Sequence, residues 1–261
     1  MSKTLILSDI HFCRSRSSAV SPEQLRPLWS GCDALLLNGD TTEAHAKSRS
    51  NASEERTQRL VELASSDGVR TTLICGNHDP VVSEIESLWF CDKLVLVFHG
   101  HAAFPTIAPW NWRSRYIAEV RSKYLAKSSD GFEEQLAAVR KASFEAVSGA
   151  FRAHRPSMPQ MLAFGPIAAF RVLRGWWQFP TLVSSWVEKY APTASFIITG
   201  HTHHAGVWRR NNRVIINTGC FGFPSHPRAV IIDGYKITVH RLHLKNNNYS
   251  LGRVCASWNV R

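Results

Sequence analysis

The sequence predicts an α/β protein: buried sheet strands with helices between them, interrupted by a helical insertion and resumed after it. Three observations carry that reading. Short apolar runs alternate with helix-like segments as far as Gly100, most runs end beside an Asp, Asn or His, and the alternation stops near Ala102 and returns near Ser195. Strands covered on both faces read as near-continuous apolar runs, and runs this short between helices are strands rather than helices.

The elements follow in order. Met1-Ser2-Lys3 leads at once into Thr4–Ser8, too short for the apolar core of a signal peptide and read instead as the first strand. Ser21-Pro22-Glu23 combines an N-cap residue with proline at the first helical position, so a helix starts at Pro22. A strand at Ala34–Asn38, a helix over Ser53–Ser66 stopped by Gly68, and strands at Thr71–Cys75 and Leu94–Phe98 come next. Between Ala102 and Ala191 helices are expected over Arg113–Lys127 and Phe132–His154, followed by a Pro- and aromatic-rich stretch in which Gly165-Pro166 should interrupt any single helix. Strands resume at Ser195–Thr199, Arg213–Asn217, Ala229–Ile232 and Tyr235–His243, the last two joined through a tight Asp233-Gly234 turn. Beyond Lys245 periodicity fades, and Asn246–Asn248 reads as a turn. The resulting division is a core of 1–101 and 192–245, an insertion of 102–191 and a C-terminal extension of 246–261.

Composition narrows the class. At 261 residues and 44% hydrophobic, the chain can bury a full core. The six cysteines include no CxxC pair, which points to reduced, packed thiols in a cytoplasmic protein and away from a thiolate zinc site. A net charge of +11 implies an anionic partner: a phosphorylated substrate, nucleic acid or an anionic membrane surface met peripherally. The most apolar stretch, Met158 to Phe179, is broken by Arg171 and Arg174, so a membrane span is not expected.

Function is written in five segments: Asp9-Ile10-His11, Gly39-Asp40, Gly76-Asn77-His78-Asp79, His99-Gly100-His101 and Gly200-His201-Thr202-His203. Carboxylate, amide and imidazole groups are ligands for first-row metals. Loops beyond the carboxyl ends of strands in layered α/β folds converge on one crevice, so Asp9, Asp40, Asn77, His99 and His201 are expected to share a site. A carboxylate such as Asp40 has two oxygens and can bridge two cations, whereas an amide or neutral imidazole serves one.

These motifs, in this order, resemble the calcineurin-like metallophosphoesterase superfamily over residues 1–101 and 192–243. The resemblance implies an αββα four-layer sandwich with a helical cap insertion and a dinuclear metal centre. Asp9, His11, Asp40 and His203 would surround one ion, and Asp40, Asn77, His99 and His201 the other. A hydroxide held between the two ions would attack phosphorus. His78 would stabilise the phosphoryl charge or protonate the leaving oxygen, with Asp79 positioning it. Manganese is the expected metal, with iron and zinc compatible. His101 and His204 are read as supporting or surface residues, and Asn217-Thr218-Gly219 as shaping the site. In having a helical insertion after the His-Gly segment the chain is also similar to the UDP-2,3-diacylglucosamine pyrophosphatase branch. It departs from that branch at His78, where the branch carries Arg, and at His101, where it carries Asp.

The insertion holds 12 Lys and Arg against 6 Asp and Glu, and five of the nine tryptophans, Trp110, Trp112, Trp176, Trp177 and Trp186. Arg113, Arg115, Arg171 and Arg174 are therefore expected to meet a substrate phosphate or an anionic surface. Met158 to Trp177 mixes large apolar residues with two arginines, which suits an interfacial segment, an acyl-chain pocket or packing between helices. The function expected is hydrolysis of a phosphate mono- or diester or a pyrophosphate, on a small or lipid-linked substrate. A nuclease is the enzymatic alternative, without a separate nucleic-acid motif to support it. A non-catalytic protein-binding scaffold is the other, and it need not keep the full ligand set present here.

Overall fold

Alternation along the first strand sets the layering. On β1 (Lys3–Leu7), Leu5 and Leu7 enter one apolar cluster and Ile6 enters another on the opposite face. The computed structural model describes residues 2–14, 17, 19, 21–43, 47–150, 158–222 and 226–260. β2 (Ala34–Asn38) and β3 (Arg70–Ile74) lie parallel to β1, while on the other side β9 (Arg228–Asp233), β10 (Lys236–Lys245) and β11 (Asn248–Asn259) follow, each antiparallel to its neighbour; the sheet order is β11-β10-β9-β1-β2-β3. A second sheet runs β4 (Ser87–Phe90), β5 (Val95–Phe98), β6 (Phe196–Thr199), β8 (Arg213–Asn217) and β7 (Gly206–Arg210), with β5, β6 and β8 parallel.

Three apolar clusters separate four layers. Outside the six-stranded sheet, α1 (Lys47–Ser66) brings Leu60 and Leu63, and a 3-10 helix at Pro22–Trp29 brings Leu25, Leu28 and Trp29, against Leu5, Leu35 and Leu37. Between the sheets lie Ile6, Leu36, Ile74, Val97, Ile198, Ile216 and Val230. Burying a side chain of this size stabilises by roughly 1.5–3 kcal/mol, and Leu36→Ala in this layer costs about 2–5 kcal/mol. Outside the five-stranded sheet, α2 (Ser114–Leu125), α3 (Phe132–Ala150) and α4 (Met158–Tyr190) pack Val120, Val139, Val183 and Val187 on Leu96, Ile197 and Ile215. The αββα sandwich expected from the sequence is thus present, and the segment Ala102–Ala191 supplies its fourth layer.

Several elements differ from expectation. The helix begun at Pro22 is a 3-10 helix, with Pro27, which lacks a backbone donor, inside it. The expected break at Gly165-Pro166 does not occur: α4 continues through Pro166 and Pro180. Each proline forfeits one hydrogen bond, and burial of Phe179, Val183, Trp186 and Val187 outweighs that loss. The chain after Lys245, read as lacking periodicity, forms the twelve-residue edge strand β11, held to β10 by a ladder with irregularities at His240. Its polar, half-exposed residues carry no alternation to detect. Short β4 and β7 escaped notice for the same reason, every β4 residue being only half-buried. The end of the helix predicted over Phe132–His154 passes into 151–154, outside the described residues. All six cysteines are free thiols, and no helix among the described residues is long and apolar enough to cross a membrane.

Candidate metal centre

Parallel strands in both sheets aim their carboxyl ends at one crevice. Asp9 and His11 follow β1, Asp40 follows β2, Asn77 and His78 follow β3, His99 follows β5, and His201 and His203 follow β6. Asp9, His11, Asp40, His201 and His203 all have positive φ, between 49° and 71°. Non-glycine residues occupy this region rarely, at a cost of order 1–3 kcal/mol each, and such strain collects where a site over-determines the backbone. The loops also close tightly. A Cβ at Gly76 would collide with Asp40 Oδ1, and one at Gly200 with Asp9 Oδ2, so glycine at both places lets the backbone come against a ligand carboxylate.

Two groups of atoms gather around Asp40. Asp9, His11, Asp40 and His203 form one, and Asp40, His99 and His201 the other, with the ligand atoms within each group no more than 4.8 Å apart. Asn77 is buried with its Oδ1 unpartnered, and it lines the crevice beside Asp40 and His201. The tautomers are fixed by carbonyls, which only accept. His99 Nδ1 donates to Asn38 O at 2.8 Å and His201 Nε2 donates to Ile107 O at 2.8 Å, leaving His99 Nε2 facing Asp40 Oδ2 at 3.3 Å and His201 Nδ1 buried without a hydrogen-bond partner. Buried polar atoms are normally satisfied, and backing a ring through its other nitrogen is how proteins aim histidine at a metal. His11 Nε2 and His203 Nε2 stand 3.0 Å apart. Oxygen and nitrogen donors in this arrangement, with one shared carboxylate, fit two divalent ions. They favour no single metal.

Charge among the site's own groups is distributed unevenly. Burial would push His99 and His203 down, but Asp40 at 3.3 Å holds His99 up at about 9, and Asp9 at 3.3 Å holds His203 at about 10. The same pairs, against burial, bring Asp9 below the ordinary carboxylate range and Asp40 well below it. Burial wins at His11, lowered to about 4, and at His201, held well below 6.5, so these rings are neutral.

His78 lies at the crevice mouth, and its ring partner is a residue the sequence reading passed over. Glu43 Oε1 sits 2.6 Å from His78 Nδ1, while Oε2 of the same carboxylate is 3.4 Å from His11 Nδ1. Asp79, expected to position His78, is turned the other way. Its carboxylate accepts from the backbone N–H groups of Gly76, Asp40, Thr41 and Thr42 at 2.7 to 3.1 Å, and so fixes the loop carrying Asp40. Burial would lower His78, yet Asp40 and Glu43 leave it raised.

A family model decides the membership, since that of the calcineurin-like phosphoesterase superfamily domain matches residues 3–237. The chain belongs to this superfamily. Among solved structures it is similar to Vps29 from Chaetomium thermophilum, at 9% identity and TM-score 0.49, covering 100% of this chain and 96% of that one. A dimetal phosphatase from Danio rerio aligns at 10% identity and TM-score 0.49 over 91% and 95%. The phosphoesterase Yfce from E. coli aligns at 14% identity and TM-score 0.46 over 99% and 100%. No curated protein sequence matches the chain.

The crevice beside Asp40 has a volume of about 440 Å³ and joins polar and apolar walls. Asp40, Asn77, His78, His201 and His203 form its floor, and Trp110 with α4 residues Ala169, Val172, Leu173 and Trp176 forms one side. Trp176 is fixed by donating Nε1–H to Thr202 O at 2.9 Å and stacking on His204. A larger groove of about 740 Å³ lies at the opposite ends of β1, β2 and β3 and contains none of the motif residues. Of the four arginines expected at the substrate, none lines the crevice. Arg113 stacks over Tyr116 at 4.4 Å, Arg171 donates to Ser114 Oγ at 3.3 Å, and Arg115 and Arg174 point to solvent. Among the described residues, the guanidinium at the site is that of Arg14, 3.2 Å from His11 Nε2. Both missed residues, Arg14 and Glu43, stand three positions beyond a motif ligand, which is the signal that could have found them. His101 is buried beside the ring of His99, at 5.4 Å.

Proposed function

We propose that the chain is a metal-dependent phosphoesterase acting on a phosphate mono- or diester or a pyrophosphate. The observation that carries this reading is the sharing of Asp40 between two groups of ligand atoms, in which His99 Nε2 faces Asp40 at 3.3 Å, His11 Nε2 and His203 Nε2 converge to 3.0 Å, and His201 Nδ1 has no hydrogen-bond partner. Two divalent ions, when bound, supply Lewis acidity toward phosphoryl oxygens and acidify water. Asp9, His11, Asp40 and His203 would hold one ion, and Asp40, Asn77, His99 and His201 the other.

The chain's own groups provide the rest. Glu43 on Nδ1 orients His78 so that the proton to be delivered to the leaving oxygen sits at Nε2, and the negative charges of Asp40 and Glu43 favour its retention. Arg14, 40% exposed at the mouth, offers planar donors to a phosphate oxygen. Trp110, Val172 and Leu173 exclude water from one side and fit an apolar leaving group. The test is elemental analysis of the purified protein together with hydrolysis of p-nitrophenyl phosphate and bis-p-nitrophenyl phosphate, with and without added manganese. About two ions per chain and manganese-dependent turnover are expected; a loaded protein inert toward both esters would oppose the reading.

A further inference from the structure

One face of α4 is apolar and uncovered. Ile167 is 50% exposed, Phe170 64%, Leu173 59% and Trp177 80%. Their spacing of three and four residues puts them in a single stripe about 15 Å long on a 3.6-residue helix. The opposite face holds the helix to the body through Gly175, Phe179 and Val183, so the stripe is not exposed by loose packing. Exposed Arg174 falls within the stripe, between Phe170 and Trp177. Large apolar residues gathered on one exposed surface mark an interaction site.

Leu173 belongs to both the stripe and the crevice wall, so the uncovered surface runs without interruption into the site that holds Asp40, His78 and His201. We infer that α4 rests on an anionic membrane surface and that the substrate is a phosphorylated amphiphile, its chain lying along Leu173 and Val172 and its phosphate entering the crevice. The substrate half of this inference rests on the phosphoesterase reading above. Charge complementarity selects the occupant: a net charge of +11 and an arginine inside the apolar stripe favour acidic headgroups, whereas self-association through the same face would bring Arg174 toward its own copy. No helix among the described residues can cross a bilayer, so the contact is a surface one.

The full-length chain should cosediment with phosphatidylcholine vesicles that contain phosphatidylglycerol, bind poorly to phosphatidylcholine alone, and release as salt is raised. Replacing both exposed aromatics, Phe170→Ser and Trp177→Ser, should weaken binding about tenfold or more. Neither residue lines the crevice, so p-nitrophenyl phosphate turnover should be unchanged. Dodecyl phosphate should compete for that turnover at least about tenfold better than butyl phosphate, with Leu173→Ser removing the advantage. Absence of vesicle binding, or binding indifferent to the double substitution, overturns the inference. So does a dimer in sedimentation that the substitutions convert to monomer, because the stripe would then be covered by a second copy. The vesicle arm needs no turnover, so an inert protein that still binds anionic vesicles would sink the phosphoesterase reading alone.

Discussion

Glu43 divides one buried carboxylate between two imidazoles, one in each working half of the site. Its Oε1 holds His78 and its Oε2 faces His11. Glu43→Gln keeps the size but removes the charge, and loss of a supporting partner of this kind lowers activity or metal affinity about 10- to 100-fold. His78→Ala should slow hydrolysis about 100- to 10,000-fold while metal content stays intact. Asp40→Ala should take away the shared ligand, so elemental analysis should find less than the full complement of metal along with lost turnover. Metal retained in Asp40→Ala, or lost in His78→Ala, would reverse the assigned roles. At this scale the ligands were legible because Asp, Asn and His beside Gly at strand ends are uncommon in series. Glu43 was not, since a lone glutamate past a motif looks like any surface residue, and only the fold reveals that it is 5% exposed. Arg14 lies outside the tryptophan-rich insertion, whose Arg113 stacks on Tyr116, whose Arg171 bonds Ser114, and whose Arg115 and Arg174 face solvent.

Among the elements, the tight βα and ββ turns behind the ligands are the vulnerable points. Gly76→Ala and Gly200→Ala each insert a methyl against a ligand carboxylate, and overpacking of this type costs about 1–3 kcal/mol. Both should lower metal affinity more than a conservative core change such as Ile198→Val, which costs about 0.5–1.5 kcal/mol, and titration of manganese into each variant would reveal the difference. Equal affinities across the three would mean that the loops relax freely. Buried strands were readable because apolar runs such as Leu35-Leu36-Leu37 feed clusters on both faces. Strands β4, β7 and β11 lie at sheet edges or close to solvent, where ladder hydrogen bonds rather than apolar periodicity define them. Proline misled at α4 because tertiary burial, invisible in a local window, outweighed one or two lost hydrogen bonds.

For the whole molecule, metal and proton compete for the same nitrogens. His99 near 9 and His203 near 10 are both protonated at neutral pH in the metal-free chain, each against a buried aspartate. An ion needs the neutral ring, so loading must release these protons, and apparent affinity should rise with pH until it passes between about 9 and 10. His11 and His201, already neutral, add nothing to that slope. Because the unfolded chain lacks the assembled site, binding also stabilises the fold. A hundredfold excess over Kd contributes about 2.7 kcal/mol, which for a chain of this size raises Tm by roughly 5–10 °C. Thermal melts with a fixed manganese concentration from about pH 6 to about pH 8 should therefore show a widening gap between loaded and metal-free protein. The sign follows from the ion pairs: in the metal-free fold, protonated His99 and His203 stabilise most below the ordinary histidine range and lose that contribution as pH climbs through 9 to 10, while the loaded form gains. A gap independent of pH would mean that the two rings are neutral before the metal arrives, and that Asp40 and Asp9 are held down by something other than His99 and His203.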